Sequence, residues 1–213
     1  MGPKTRVLFA IASLWSALAI AESAAAAAAP DSTDVGVHWR PGRQWMSFRV
    51  GYAKSTVTNA ANGSIGGGIG YSQMLPGVKL WRFELFRHFS LGGYVHLDQL
   101  GRFGEAAELE IPATVELVRH FRWMSPYLRP YFGAGGGGFY RKLYRTGIDI
   151  SRMKPGVYAV FGANVPLDDH HVLGVDTRIA RVNSDNIYNN PVFGFGKRRA
   201  THLSLKLNYA LTY

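Results

Sequence analysis

THLSLKLNYALTY, residues Thr201–Tyr213, alternates without a break. Odd positions Leu203, Leu205, Leu207, Tyr209, Leu211 and Tyr213 are apolar or aromatic. Even positions His202, Ser204, Lys206, Asn208, Ala210 and Thr212 are polar or small. A period of two puts the two sets on opposite faces of one strand. The length meets the ~9–11 residues that a tilted transmembrane strand needs. An edge strand of a soluble sandwich is the poorer reading, because a long apolar edge invites aggregation.

Weaker forms of the pattern recur upstream. Met46, Phe48, Val50 and Tyr52 alternate with Ser47, Arg49, Gly51 and Ala53, and Trp81, Phe83 and Leu85 with Arg82 and Glu84. Leu109, Ile111, Ala113, Val115 and Leu117 alternate with Glu110, Thr114 and Glu116, and Leu173, Val175 and Ile179 with Gly174, Asp176 and Arg178. Together these predict eight strands near 45–54, 78–88, 89–98, 109–121, 127–140, 156–166, 171–182 and 201–213. No stretch sustains helical spacing. Short connections follow the second, fourth and sixth strands, around Arg87–Phe89, Arg122–Pro126 and Pro166–His170. Longer ones, Ser55–Gly77, Gln99–Glu108, Arg141–Pro155 and Asn183–Ala200, follow the odd strands. An even strand number with alternating turns and loops predicts an all-β, eight-stranded, antiparallel up-and-down transmembrane barrel.

The chain has 213 residues and no cysteine, so thiolate chemistry, disulfides and cysteine zinc sites are excluded. Lys4 and Arg6 precede the short apolar run Val7–Ile20 and the alanine-rich stretch Ala21–Ala29. That layout predicts a secretory signal over 1–29, cut between 21 and 29. A segment over 30–44 then leads into a barrel over 45–213. The net charge is +10, which in an exported chain points to anionic lipid head groups rather than nucleic acid. Mean hydropathy is only -0.05 although 47% of residues are hydrophobic, a mixture that suits strands lying between two environments.

The polar face carries Arg49, Arg82, Glu84, Glu110, Glu116, Asp176, Arg178 and Lys206. Facing lipid at mid-bilayer, Arg or Lys would cost ~2–4 kcal/mol each. Facing inward, opposite signs pair across a lumen that eight strands leave just wide enough for side chains. We therefore expect Arg49, Arg82, Glu84, Glu116, Asp176, Arg178 and Lys206 to form an interior ion-pair network in a plugged bore. Phe89, Phe121, Trp123, Tyr127 and Tyr213 suit an aromatic girdle at one interface. Two basic clusters, Arg141, Lys142, Arg145, Arg152 and Lys154, and Lys197, Arg198 and Arg199, fall in expected loops at the opposite rim. Arginine there is suited to bidentate phosphate contacts.

Other motifs carry less. Gly133, Gly135 and Gly138 match a dinucleotide spacing but lie within a strand pattern, without the helix that reading needs. Gly66–Gly70 reads as a loop or a strand extension. Asp168, Asp169, His170 and His171 occupy a tight turn and lack metal-ligand spacing. His96 and Asp98 share a face near one strand end, where interior packing is expected rather than acid–base catalysis.

The C-terminal strand, the segment Pro126–Tyr140 (PYLRPYFGAGGGGFY) and the loop pattern together resemble the small outer-membrane barrels of OmpA, OmpX and opacity type. Leu207, Tyr209, Leu211 and Tyr213 also resemble the signal read by the outer-membrane assembly machinery. The resemblance implies a structural, adhesive or host-interaction role in the outer membrane of a Gram-negative bacterium. Separately from the resemblance, the alternation of turns and loops puts the short turns on the periplasmic side, and the two basic clusters are expected to contact lipid and lipopolysaccharide outside. A monomer without cofactor, metal, nucleic-acid partner or catalytic residues is expected. A second likeness is to the lipid A deacylase barrels, but Ala180 and Val182 stand near the place of their catalytic His and Ser, and neither can attack an ester. That hydrolase, and a narrow OmpW-like pore for small or apolar solutes, are the alternative readings.

Overall fold

A computed structural model describes residues 36–56, 63–80, 83–85, 88–103, 106–121, 127–145, 148–183 and 200–213. The expected signal segment lies outside these residues. The strands are β1 (Gln44–Ser55), β2 (Ser64–Met74), β3 (Val78–Leu80), β4 (Phe83–Leu85) and β5 (Phe89–Phe103). They continue with β6 (Ala106–His120), β7 (Arg129–Arg145), β8 (Ile148–Pro166), β9 (His171–Val182) and β10 (Ala200–Thr212). Eight of them close a barrel in the order β1-β10-β9-β8-β7-β6-β5-β2, while β3 and β4 form a separate hairpin. Every pairing is antiparallel, and β10 meets β1 from Trp45↔Thr212 to Ser55↔His202. The first and last strands thus close the sheet. β1 starts and β10 finishes at one mouth, here termed the terminus end.

The barrel is apolar on its skin and polar in its bore. Outward positions on β1 are Met46, Phe48, Val50 and Tyr52, all exposed, while Ser47, Arg49 and Ser55 are buried. Val115 and Leu117 are exposed on β6, with Glu116 between them only 1% exposed. The same inversion holds on β9 and β10, where Ile179, Leu203 and Leu207 face out and Asp176, Arg178 and Lys206 face in. A soluble protein would not present such a belt to water, and ionised groups set inside it avoid the hydrocarbon. This is a transmembrane barrel. Phe121 and Tyr213 lie exposed at the terminus end as a girdle would, and Trp123 is outside the described residues.

Two expectations are corrected. The second barrel strand is Ser64–Met74, and 78–88 contributes only the β3–β4 hairpin of the following connection. Glycines hide β2 in the sequence, because they carry no side chain to display alternation. Gly66, Gly68 and Gly70 pair with Asp98, His96 and Tyr94 of β5. A Cβ at any of the three would strike that partner's side chain, so the bare stripe makes room for large interior groups. The second correction concerns the loops. β5 and β6 are separated only by residues 104–105, and β7 and β8 only by 146–147. β7 and β8 run for 17 and 19 residues, well beyond what crossing the hydrocarbon needs, so the expected loops are strands projecting past it. Leu100 continues the inward parity of His96 and Asp98 and is buried, and the pairing of β5 with β6 shifts register between Gln99 and Gly101.

Candidate functional site: the charged bore

The bore is built in tiers, each supplied by side chains from several strands. At the terminus end the segment preceding β1 folds into the mouth. Gly42, at φ 84°, turns this segment into the strand, a conformation glycine adopts without strain. His38 and Trp39, in a short 3-10 turn over Val37–Trp39, are buried. His38 Nε2 donates to the Asp168 carbonyl at 2.7 Å, and Nδ1 meets Thr212 Oγ1 at 2.7 Å. That uses both ring nitrogens of a neutral imidazole, and burial holds the His38 imidazole below its usual titration range. Trp45 Nε1 donates to the His38 carbonyl at 2.9 Å. Trp39 packs edge-on against Trp45, and the Arg129 guanidinium lies 4.8 Å from the Trp39 ring centroid. Arg43 Nη2 donates to the carbonyls of Asp169 and Thr212, tying the segment to the rim. Trp45, His120 and Tyr131 extend this aromatic floor.

Above the floor lies a square of two cations and two carboxylates. Arg49 pairs with Glu116 at 3.4 Å and with Asp176 at 3.2 Å. Arg178 pairs with the same two, at 2.7 and 3.3 Å. Tyr158 donates to Glu116 Oε2 at 2.9 Å, and its oxygen lies 3.1 Å from Thr114 Oγ1. The Tyr94 ring supports the cations, with Arg49 at 4.0 Å and Arg178 at 5.4 Å from its centroid. Alternating signs and supporting rings let four charges share one buried layer.

Two more groups continue toward the open end. Lys206 Nζ donates to both carboxylate oxygens of Asp98, at 2.6 and 2.8 Å, and His96 lies between Lys206 and Arg178. Glu110 pairs with Arg141 at 3.2 Å and accepts from His202 Nδ1 at 3.0 Å. The far nitrogen of His202 faces Arg141 Nη2 at 3.3 Å. His202 is thereby engaged on both sides, which leaves its ring no nitrogen to activate a nucleophile.

Of the expected network, Arg49, Glu116, Asp176 and Arg178 meet in one layer and Lys206 lies in the next. Arg82 is outside the described residues, and Glu84 belongs to β4, which is not part of the barrel wall. Asp98, Glu110, Tyr94, Tyr158, His96 and His202 complete the bore. Arg141 is corrected: it is fully buried against Glu110 rather than set on an outer rim. Its parity with the inward Tyr131 and Phe139 of β7 is the signal that could have placed it. Lys142 is half-buried and faces outward from β7, and Arg145 lies at the strand's end. On β8 Arg152 is exposed and Lys154 half-buried, both on a strand rather than a loop. Lys197, Arg198 and Arg199 lie outside the described residues. Leu207, Tyr209 and Leu211 lie on the outward face of β10, and Tyr213, which follows the strand, is exposed.

Two small cavities are lined by described residues of the bore. A pocket of about 30 Å³ lies beside Asp98, Glu110 and His202, and another of about 20 Å³ beside His120 and Asn164. Each holds on the order of one or two waters. The Arg49–Glu116–Arg178 layer stands between them. In the turn at the terminus end, Asp168 Oδ1 accepts from the His170 and His171 amides, so this carboxylate shapes the turn.

A closed barrel with an apolar skin and paired ions in a filled bore matches solved membrane proteins. It aligns with Neisserial surface protein A at TM-score 0.62 and 12% identity, covering 81% of this chain and 99% of that one. The chain has the fold of the small eight-stranded outer-membrane barrels. Ail, the attachment invasion locus protein of Yersinia pestis, aligns at TM-score 0.53 and 12% identity, over 82% of this chain and 100% of that one. A major outer membrane protein from Thermus thermophilus aligns at TM-score 0.52 and 12% identity, over 80% and 99%. No protein-family model and no curated sequence matches the chain. At such identities the likeness is one of fold and carries no shared ligand or partner.

Proposed function

We propose that this protein is a non-enzymatic, monomeric outer-membrane barrel that serves as a structural or interaction protein. In this reading it is exported by a cleaved signal and placed by the assembly machinery with its terminus end in the periplasm. Its open end then meets lipopolysaccharide and external partners. The observation that carries the reading is the bore itself: Arg49, Arg141, Arg178 and Lys206 are each paired with Asp98, Glu110, Glu116 or Asp176. Side chains consumed in this way support a wall and a scaffold, not a reaction centre or a permanent aqueous channel. The buried residues Ala180 and Val182 add no nucleophile.

Fractionation with gel mobility tests the reading. The protein is expected in the outer-membrane fraction, running as a compact band unheated and a slower band after boiling. In planar bilayers it is expected to add no steady conductance. Recovery as a soluble periplasmic protein would end the membrane reading, and a stable open channel would end the sealed-scaffold reading.

A further inference from the structure

We infer that the outward faces of β1, β10 and β9 bind one phosphorylated lipid of the leaflet at the open end, with Lys54 and Arg181 holding its phosphate. This rests on the membrane placement proposed above and names a surface that the basic stretch Arg141–Lys154 does not supply. Lys54 has the parity of the exposed Phe48, Val50 and Tyr52, and Arg181 that of the exposed Ile179. Both therefore project from the skin of the barrel, Lys54 half-buried and Arg181 exposed.

Register brings them together. Lys54 is opposite Leu203 on β10, and Arg181 is opposite Thr201 on the same strand. The two cations lie on either side of β10, offset by two residues, with Cα atoms about 12 Å apart from standard strand spacing and rise. Two long flexible side chains at that separation can close on one head group. Both stand where the apolar rows stop. Immediately below are Tyr52, Leu205 and Thr177, level with one another across the three strands. Below those, Val50 and Leu207 continue the panel, each more than half exposed.

Charge selects the ligand. β1 and β10 contain no carboxylate, and the one acid of β9, Asp176, is buried in the bore. Neither Lys54 nor Arg181 therefore has an acidic neighbour on this face of the three strands. Among the described side chains, the exposed acids Asp168 and Asp169 are at the opposite mouth. Cations at the edge of hydrocarbon attract anionic head groups, and a guanidinium can grip phosphate with two parallel hydrogen bonds. The apolar panel beneath them favours a lipid over free phosphate, because acyl chains occupy it while the head group reaches the cations.

The test uses the full mature barrel in detergent micelles. Native mass spectrometry would compare binding of diphosphorylated lipid A with its dephosphorylated form. Each cation at such a border contributes about fivefold, so K54Q and R181Q should each weaken phosphorylated lipid binding by about that factor, and the pair by about thirtyfold. The dephosphorylated lipid should bind the wild type as weakly as the double variant binds the phosphorylated one, and R119Q, which removes an exposed cation at the terminus end of β6, should change nothing. Double-variant affinity within twofold of wild type would overturn the site. So would equal binding of both lipids, or full displacement by inorganic phosphate at the same concentration. Heat-modifiable mobility is recorded in parallel. Its absence in the wild type would refute the membrane barrel itself, whereas its presence with unchanged lipid affinity refutes only the phosphate site.

Discussion

Glu116 and Val115 are consecutive residues facing opposite surroundings, and substituting each in turn tests the inside-out architecture at one point of the wall. Glu116 accepts from Tyr158 and pairs with both Arg49 and Arg178. Replacing it with alanine leaves two buried guanidiniums sharing Asp176 alone, at 3.2 and 3.3 Å. Removing one partner of a buried ion pair costs about 3–5 kcal/mol. Tyr158 also loses its acceptor, which places Glu116→Ala toward the upper part of that range. Val115 is 58% exposed on the apolar belt. Val115→Ala should cost under about 1 kcal/mol, because in lipid a smaller side chain exchanges one apolar contact for another. Val115→Arg should cost ~2–4 kcal/mol by placing a charge in hydrocarbon. Equilibrium urea unfolding of the barrel folded into phospholipid vesicles, followed by tryptophan fluorescence, measures all three. In the same assay Glu116→Ala combined with Arg178→Ala should be less damaging than the sum of the single changes, since the second removes a charge that the first left poorly paired. If Glu116→Ala falls within about 1 kcal/mol of wild type while Val115→Arg is silent, the charges do not line the bore and the reasoning fails.

Two further outcomes follow from the packing. A Cβ on Gly135 would meet the Tyr158 ring, so Gly135→Ala should displace that ring from Glu116 and lower stability by about 1–3 kcal/mol in the same urea assay, whereas Gly93→Ala, whose Cβ meets nothing closer than 3.9 Å, should be tolerated. Burial keeps His38 below its ordinary 6.5, so above that pH it is neutral folded or unfolded and its stabilisation is complete. As pH falls below 6.5 the unfolded chain takes up a proton that the folded mouth resists, and stability declines by at most ~1.4 kcal/mol per pH unit until the depressed folded value is reached. Quenching of Trp39 fluorescence by acrylamide should therefore rise on acidification, and His38→Gln should flatten the response; an identical acid profile in that variant would assign the change elsewhere.

Legibility in the sequence follows side-chain contrast. β1, β9 and β10 are readable almost to the residue, because Arg49, Asp176, Arg178 and Lys206 alternate with large apolar groups. β2 is not, since its inward positions include glycines and glycine has no polarity to report. Arg141 is hidden for a different reason. Strand pairing in β7 and β8 continues beyond the hydrocarbon, where outward residues need no longer be apolar and the pattern that marks a membrane strand fades. The stopper formed by His38 and Trp39 has no sequence signal, for the His38 partners Thr212 and Asp168 lie more than a hundred residues away.

Taken alone, the order of residues determined that the chain forms strands with one greasy and one charged face, because period-two alternation is a local property of the backbone. It could not determine which charge meets which. Arg49 and Glu116 are 67 residues apart, and their meeting depends on the register at every seam of the closed sheet. Only closure brings opposite walls within reach of one another, and only then do separate charges become pairs.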